Sequence, residues 1–474
     1  MFVGRKYYLD SLDALWRKNT SSLVVISGRR RIGKSTLVET FAASSKCRFI
    51  EIEGLAPDAT MNNQKQLAHF CERLAKAAGV PEPRVDGWAK AFDALDSALG
   101  HSTGRTVVFL DEISWMGGYD TSFAAHLKNA WDTQFSRRPR LLFVLAGSVS
   151  SWIQYNILNS KAFVGRVSLD ITLPELSLAE CRQFWGAKAD RVALREILDV
   201  LSVTGGIPKY LQEMDPSLSA AENIRQLCFR PEGYLFKDFD SIFNDIFGKA
   251  TVKRQLLAAL AEGPATAAEL SSRLGSSGNG HLSDHLRDLT AAGFIVPGTG
   301  RNPETGAPVR AVPYRLRDNY TRFYLKFVEP KAAAIREGLF RFLALEQLPG
   351  WDTTMGLQFE NLVINNLKVL CSMIGLEGRL VTSAAPYQRL ATAKNRGVQI
   401  DLLIQTPKSV YLIEINRREY ISTTIEQEMQ EKVERLSLKR GTSIRTVLVY
   451  DGTLSPEIIE DGYFDYLIPA ERFF

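Results

Sequence analysis

The sequence predicts an α/β chain with four parts. A parallel sheet covered by helices on both faces is followed by a helical segment, a smaller helix-and-hairpin unit and a second α/β domain. Three observations carry this prediction. Five short runs rich in Val, Ile, Leu and Phe, at 23–27, 48–52, 106–111, 140–147 and 167–171, alternate with stretches of helical period, as strands buried on both faces do. From about 173 to 249 the pattern is helical. Strand-like runs return at 399–404, 410–415 and 445–450, after the helix-period stretch MGLQFENLVINNLKVLCSMIG. The expected boundaries are therefore 1–172, 173–249, 250–328, a linker at 329–349, and 350–474.

The chain of 474 residues is 45% hydrophobic and 23% charged, a composition that excludes wholesale disorder and lets each domain bury a core. No apolar run reaches the ~18 residues of a membrane helix, and the N-terminus lacks the apolar segment of a signal peptide, so a cytoplasmic location without membrane contact is expected. Five scattered cysteines form no CxxC and read as reduced thiols. The net charge of +5 is small, but residues 251–328 hold ten basic side chains against six acidic ones.

Gly28-Arg29-Arg30-Arg31-Ile32-Gly33-Lys34-Ser35-Thr36 directly follows the first strand run and opens a helical stretch. It fits G-x-x-x-x-G-K-[ST], in which backbone N–H groups wrap phosphates at a helix N-terminus, the lysine neutralises β and γ oxygens, and the serine hydroxyl binds Mg²⁺. Asp111 ends the third strand run, where it can hold Mg²⁺ through water, and Glu112 beside it can act as general base toward the attacking water. Ser148, at the end of the fourth run, is placed to contact a γ-phosphate. No NKxD-type guanine selector occurs, which favours ATP, and no G-x-G-x-x-G follows the first strand, which disfavours hydride transfer.

Phe2-Val3-Gly4-Arg5, GRRRIGKST, FLDEISWM, LAGSVSSWI and Gly205-Gly206-Ile207-Pro208 together resemble the archaeal-type ATPases of the STAND class, relatives of AAA+ proteins, over roughly residues 1–250. The resemblance implies a P-loop NTPase sheet with a helical lid. It also implies that the Gly4-Arg5 pair and Pro208 lie near the base, and that Arg166 assists the phosphates.

TVKRQLLAALAEG, ATAAELSSRLG and HLSDHLRDLTAAGFI read as three successive amphipathic helices, and PGTGRNPETGAPVRAVPYRL as a hairpin wing. The pattern resembles a winged helix-turn-helix. The third helix carries His281, Ser283, Asp284, His285, Arg287 and Asp288, and the wing adds Arg301, Arg310, Arg315 and Arg317. Phosphate contact with double-stranded DNA and a role as conformational lever both remain open for this unit.

In the last domain Glu360 lies in a helix, Asp401 in one strand and Glu414 in the next; Asn416, two residues on, shares a strand face with Glu414. This order resembles the PD-(D/E)XK nuclease fold, also called restriction-endonuclease-like. The resemblance implies that Asp401 and Glu414 bind Mg²⁺, supported by Glu360, with a lysine two residues past the glutamate. Asn416 stands there instead and brings no charge.

These readings combine into an ATP-binding, ATP-hydrolysing STAND-type switch that couples nucleotide state to a winged helix and a degenerate nuclease-like domain. Its cofactors are ATP and Mg²⁺. The alternatives are an ATP-regulated DNA-binding protein and a Mg²⁺-dependent DNA endonuclease. Candidate partners are duplex DNA and a second copy or another protein.

Overall fold

A computed structural model describes every residue except 1, 59, 101–103, 149–150, 248–249, 276–278, 310–312, 341–343, 390 and 392–395. The chain divides into two compact units. One comprises Met1–Leu176 with Ile207–Lys209 and Ala291–Gly293; the other comprises Ser177–Gly206, Tyr210–Thr290 and Phe294–Phe474.

The first unit is built on five parallel strands, β1 (Ser22–Gly28), β2 (Arg48–Glu53), β3 (Thr106–Asp111), β4 (Leu141–Ser148) and β5 (Val167–Leu173), in the order β2-β3-β4-β1-β5. Each coincides with one of the five apolar runs. β1 and β3 are buried along their whole length, which is why their sequences run apolar without alternation. An aromatic cluster of Phe70, Trp88, Phe92 and Phe123 fills one face in edge-to-face pairs, including Trp88 against Phe123 at 4.6 Å. Because β1, β4 and β3 are adjacent and parallel, whatever follows Gly28, Asp111 and Ser148 gathers at one sheet edge.

In the second unit, the helices Thr251–Ala261, Ala267–Arg273 and Asn279–Ala291 precede a hairpin of β6 (Ile295–Pro297) and β7 (Tyr314–Leu316). Thr266 caps the middle helix in a capping box with Glu269, and Ala265 bridges to Tyr314 as a short third strand. The C-terminal sheet has the order β12-β11-β10-β9-β8, from β8 (Ser383–Arg389), β9 (Val398–Gln405), β10 (Ser409–Ile421), β11 (Ser443–Leu454) and β12 (Tyr466–Pro469). β8, β9 and β10 pair antiparallel, and β10, β11 and β12 parallel. β8 lies in a stretch the sequence pattern leaves unassigned. Gly452 is required in β11: at φ 144° its position would drive a Cβ to 1.7 Å from the Arg418 carbonyl.

A buried polar network ties the parts of this unit together. The fully buried Gln358, in the helix Trp351–Asn365, donates through Nε2 to the carbonyls of Ser202 and Asn319, both at 2.7 Å, and accepts from Arg322 Nη1 at 2.9 Å. Asn361, one turn on, donates to Asn319 Oδ1 at 2.6 Å and to the Arg317 carbonyl at 2.5 Å. The helix Leu194–Thr204, the segment after the hairpin and the first helix of the C-terminal domain therefore share one set of hydrogen bonds. Gln358→Ala leaves a buried guanidinium and two carbonyls short of partners, costing ~3–5 kcal/mol. A fall of about 10 °C in the unit's melting midpoint is expected by calorimetry; a change of a degree or less would deny the network its structural role.

Candidate functional site

The loop between β1 and the helix Lys34–Ser45 is shaped by its glycines. Gly33 holds φ 90°, a left-handed value costly for any other residue, and a Cβ on Gly28 would press to 3.0 Å against the Leu173 carbonyl. Arg31 also sits at positive φ, 68°, so the backbone of the loop is bent where an anion cradle needs it. Lys34 is buried and donates through Nζ to the carbonyls of Gly28 at 3.3 Å and Arg29 at 3.4 Å. Burial lowers its pKa, opposed by the nearby carboxylates of Glu112 and Asp111.

Asp111, at the C-terminal end of β3, accepts from Ser35 Oγ at 2.5 Å through Oδ2 and from the Glu112 N–H at 2.9 Å through Oδ1. A hydroxyl and a carboxylate in direct contact are the hard oxygen pair that Mg²⁺ takes, so the residues present fit that ion. Glu112 lies in the left-handed region at φ 47°, ψ 48°, and accepts from the Ser148 N–H at 3.4 Å. Burial pushes its carboxyl up, partly offset by Lys34. The Ser148 hydroxyl is buried and has no hydrogen-bond partner among the described residues, as befits a donor kept for an incoming oxygen.

Two expected neighbours of the nucleotide reach the same loop. Arg5, itself buried, donates to the Ile32 carbonyl at 3.3 Å, and Pro208 Cγ stands 4.0 Å from the Cβ position of Gly33. Arg166 does not. It precedes β5, whose Val167 pairs with Leu23 near the start of β1, whereas the loop leaves β1 at its other end. Five strand residues, roughly 17 Å, lie between. Its guanidinium is engaged by Asp132, Nε–Oδ1 2.6 Å and Nη2–Oδ2 2.8 Å, and that pairing holds the Asp132 carboxyl down to about 2. The expectation that Arg166 assists the phosphates bound by its own chain is corrected by this placement.

The family model of an ATPase domain found predominantly in Archaea matches residues 2–214, and a helix-turn-helix model matches 252–297. The chain is a P-loop ATPase. An uncharacterized protein of Methanocaldococcus jannaschii is 22% identical over 407 residues, covering 85% of this chain and 84% of the relative. An uncharacterized ATP-binding protein of the same organism is 40% identical over 48 residues, 10% of this chain and 81% of the relative. A Walker-type ATPase of Pyrococcus abyssi has a similar fold, with TM-score 0.50 and 16% identity over 69% of this chain and 96% of that one.

The ATPase site contains two features that the motifs do not announce. Arg30 stacks over the Trp115 ring at 4.8 Å, joining the phosphate loop to the helix that follows Glu112. Gly54, after β2, donates to the Asp111 carbonyl at 3.0 Å and sits where a Cβ would meet the Glu112 carbonyl at 2.8 Å. An aromatic residue four positions beyond Asp111 was the only available hint of the first; nothing local marks the second.

The helix-turn-helix presents fewer cations than its sequence suggests. Arg315 turns inward, bonding Asn361 Oδ1 and, at 3.1 Å, Asn365 Oδ1. Arg310 lies outside the described residues. On the third helix His281, Ser283 and Arg287 are exposed, with Arg287 paired to Asp284 at 2.6 Å, while Asp288 is held by Lys253 at 2.8 Å. The wing is anchored: Ser383 Oγ bonds the Thr299 carbonyl at 3.3 Å and Gln405 Nε2 the Arg301 carbonyl at 2.7 Å.

In the C-terminal sheet the register pairs Leu402 with Ile413, so Asp401 and Glu414, one step farther, face each other across β9 and β10. Asp401 Oδ2 accepts from the Ile415 N–H at 2.9 Å. Burial raises the pKa of Asp401, Glu414 and Glu360; the charge of Asp401 adds to the rise of the other two, and Arg322 opposes that of Glu360. The structure thus brings together the three carboxylates the sequence singled out. It adds Lys432, from the helix Thr424–Arg435, whose Nζ is bonded to Glu414 Oε2. No group of three or more His, Cys, Asp or Glu among the described residues is arranged to hold a metal. Two carboxylates completed by water or substrate oxygen are nonetheless a usual Mg²⁺ set. No helix among the described residues is long and apolar enough to cross a membrane.

Proposed function

We propose that this ATPase is a STAND-type switch in which ATP, held by Gly28–Thr36 with Mg²⁺ on Ser35 and Asp111, sets the position of a unit carrying a DNA-binding helix-turn-helix. The observation that carries the reading is the convergence of Lys34, Ser35, Asp111, Glu112 and a Ser148 hydroxyl without a partner among the described residues at one sheet edge. Lys34 neutralises the phosphate oxygens, Glu112 takes a proton from the attacking water, and Ser148 donates to the γ-phosphate. Mg²⁺, when bound, offsets charge on the β and γ oxygens. Arg5 and Pro208 flank the loop where the base would lie.

Coupling follows from chain connectivity. Ile207–Lys209 belong to the nucleotide-binding unit, while Gly206 and Tyr210 on either side belong to the other. A nucleotide that moves Pro208 pulls on the second unit at both ends of a three-residue stretch. The Gln358 network then makes the helical lid, the winged helix and the C-terminal domain respond together. In this reading the functional divisions remain an ATPase core to residue 172, a lid to 249, a winged helix to 328, and a C-terminal domain from 350.

Duplex DNA is the proposed ligand of the winged helix, with Arg287, Arg301 and Arg317 as phosphate contacts. Three contacts give a slope of about −3 in log affinity against log salt. The test is phosphate release and duplex binding measured over a salt series. DNA-stimulated hydrolysis with a slope near that value supports the reading. Hydrolysis indifferent to DNA, with no salt-dependent binding, overturns the DNA part and leaves the ATPase.

A second reading is favoured by one observation, the facing pair Asp401 and Glu414 with Glu360 behind it: Mg²⁺-dependent hydrolysis of a DNA phosphodiester. Asn416 Oδ1, buried and without a hydrogen-bond partner among the described residues, fits a site completed by a further group.

A further inference from the structure

Arg29, Arg30 and Arg31 occupy successive positions of the phosphate loop, and Arg30 is held by a ring. Its guanidinium stands over the Trp115 indole, with Cζ 4.8 Å from the ring centroid. Trp115 belongs to the same turn that sets Glu112. Its N–H donates to the Glu112 carbonyl at 2.8 Å, in the short helix Ile113–Gly117 that Ile113 and Met116 anchor in the core. Gly54 admits that turn, since a Cβ there would lie 2.8 Å from the Glu112 carbonyl and 3.2 Å from the Trp115 Cβ. One turn therefore fixes both the carboxylate and the ring, and the ring fixes where Arg30 stands. The charge of Arg30 acts on both of its neighbours in the site, lowering the pKa of Lys34 and opposing the rise of Glu112. Arg166, by contrast, is occupied by Asp132 near the start of β1 and leaves the phosphates of this chain to cations nearer the loop.

We propose that Arg30 is a catalytic residue of the ATPase, donating to the oxygens of the transferred γ-phosphoryl group, and that Trp115 is the positioning residue that holds it there. The proposal rests on the reading of Lys34, Asp111 and Glu112 as the ATPase site. Stacking on a ring engages the face of a guanidinium and keeps its in-plane N–H groups for oxygen acceptors, and the planar fork matches a phosphoryl group. The ring also adds no opposing formal charge, unlike the carboxylate that pairs with Arg166. In the hydrolysis the water oxygen bonds to the γ-phosphorus, and the bond from that phosphorus to the bridging oxygen of ADP breaks. One water proton passes to Glu112, and ADP and inorganic phosphate leave. Arg30 gives up no proton; its charge offsets the negative charge on the γ oxygens as the bridging bond lengthens.

The test uses the full-length chain, the variants Arg30→Ala, Arg30→Lys, Trp115→Leu and Trp115→Phe, the double variant Arg30→Ala/Trp115→Leu, and Lys34→Ala as reference. Mg²⁺-dependent ATP turnover reports chemistry. Calorimetric titration reports affinity for ADP alone and for ADP with aluminium fluoride, which mimics the phosphoryl group in transfer, and a thermal melt reports folding. Expected in Arg30→Ala is ADP affinity within about threefold of the parent, while kcat and affinity for the aluminium fluoride complex both fall about 10²-fold or more, with part recovered in Arg30→Lys. Trp115→Leu lowers kcat about fivefold, Trp115→Phe restores it, and the double variant is no slower than Arg30→Ala, because the ring acts through the arginine. Undiminished turnover in Arg30→Ala beside an inactive Lys34→Ala overturns the role of Arg30 and leaves the site standing. Equal losses of ADP affinity and turnover in Arg30→Ala make the arginine a ground-state binding group and also overturn its catalytic role. Additive losses in the double variant overturn the part given to Trp115. A parent chain without turnover, or a Lys34→Ala as active as the parent, overturns the reading of the site and the proposal with it. Where the melt of Arg30→Ala collapses, Arg30→Gln, which keeps length and hydrogen-bond donors without the charge, carries the same comparison.

Discussion

Replacing Lys34 by Ala lowers ATP turnover about 10³-fold or more, the largest single effect expected in this chain. The ammonium is held inside the phosphate loop by the carbonyls of Gly28 and Arg29, where entering phosphate oxygens meet it. Burial already disfavours its charge, and only Glu112 and Asp111 offset that cost. Removing it also takes the donor from the Gly28 and Arg29 carbonyls and the counter-charge from Glu112 and Asp111. The measurement is Mg²⁺-dependent phosphate release beside a thermal melt. Turnover within tenfold of the parent would refute the assignment of the site. Loss of turnover with a collapsed melt would point to misfolding, and Lys34→Met, which keeps the stem, separates the two.

Glu112→Gln is expected to keep nucleotide affinity while turnover falls by 10²–10⁴-fold, the contribution of a positioned general base. Its carboxylate is set by an unusual backbone. The residue sits in the left-handed region immediately after β3, and strain of this kind persists only where the surrounding fold imposes it. Gly54 yields the space that this turn needs. Burial raises the carboxyl pKa, opposed by Lys34, so the glutamate keeps its proton to a higher pH than a free carboxyl does. Turnover should accordingly decline as pH falls through that raised value, and the decline should vanish from the residual activity of the variant. Stopped-flow nucleotide binding with steady-state turnover across pH checks both statements. Equal loss of binding and turnover would make Glu112 a structural element of the loop.

Comparison of the two sites shows what kind of chemistry a sequence can carry. The ATPase centre was legible because its parts are contiguous. A strand, a glycine-shaped turn and a helix N-terminus follow one another in nine residues, and the second carboxylate closes a strand of unmistakable apolar character. The C-terminal carboxylates were singled out by the resemblance of their helix-and-strand order to a nuclease fold. Lys432 was not, because nothing in EQEMQEKVER distinguishes a helix lysine that meets a carboxylate from one that meets water. Arg315 and Arg166 failed in the opposite direction: each is basic and well placed in sequence, yet each is bound to a partner many residues away.

By itself the sequence determined the five parallel strands, the phosphate loop, the strand-end acids and the three helices before the wing, since each depends on local period, local turn chemistry or burial on both faces of one segment. Only the tertiary structure decided which cation serves which acid. Side chains separated by tens of residues meet through sheet order, strand register and helix docking. The energy of such a pair depends on burial and on the direction of approach, and neither is written in the spacing of the residues that make it.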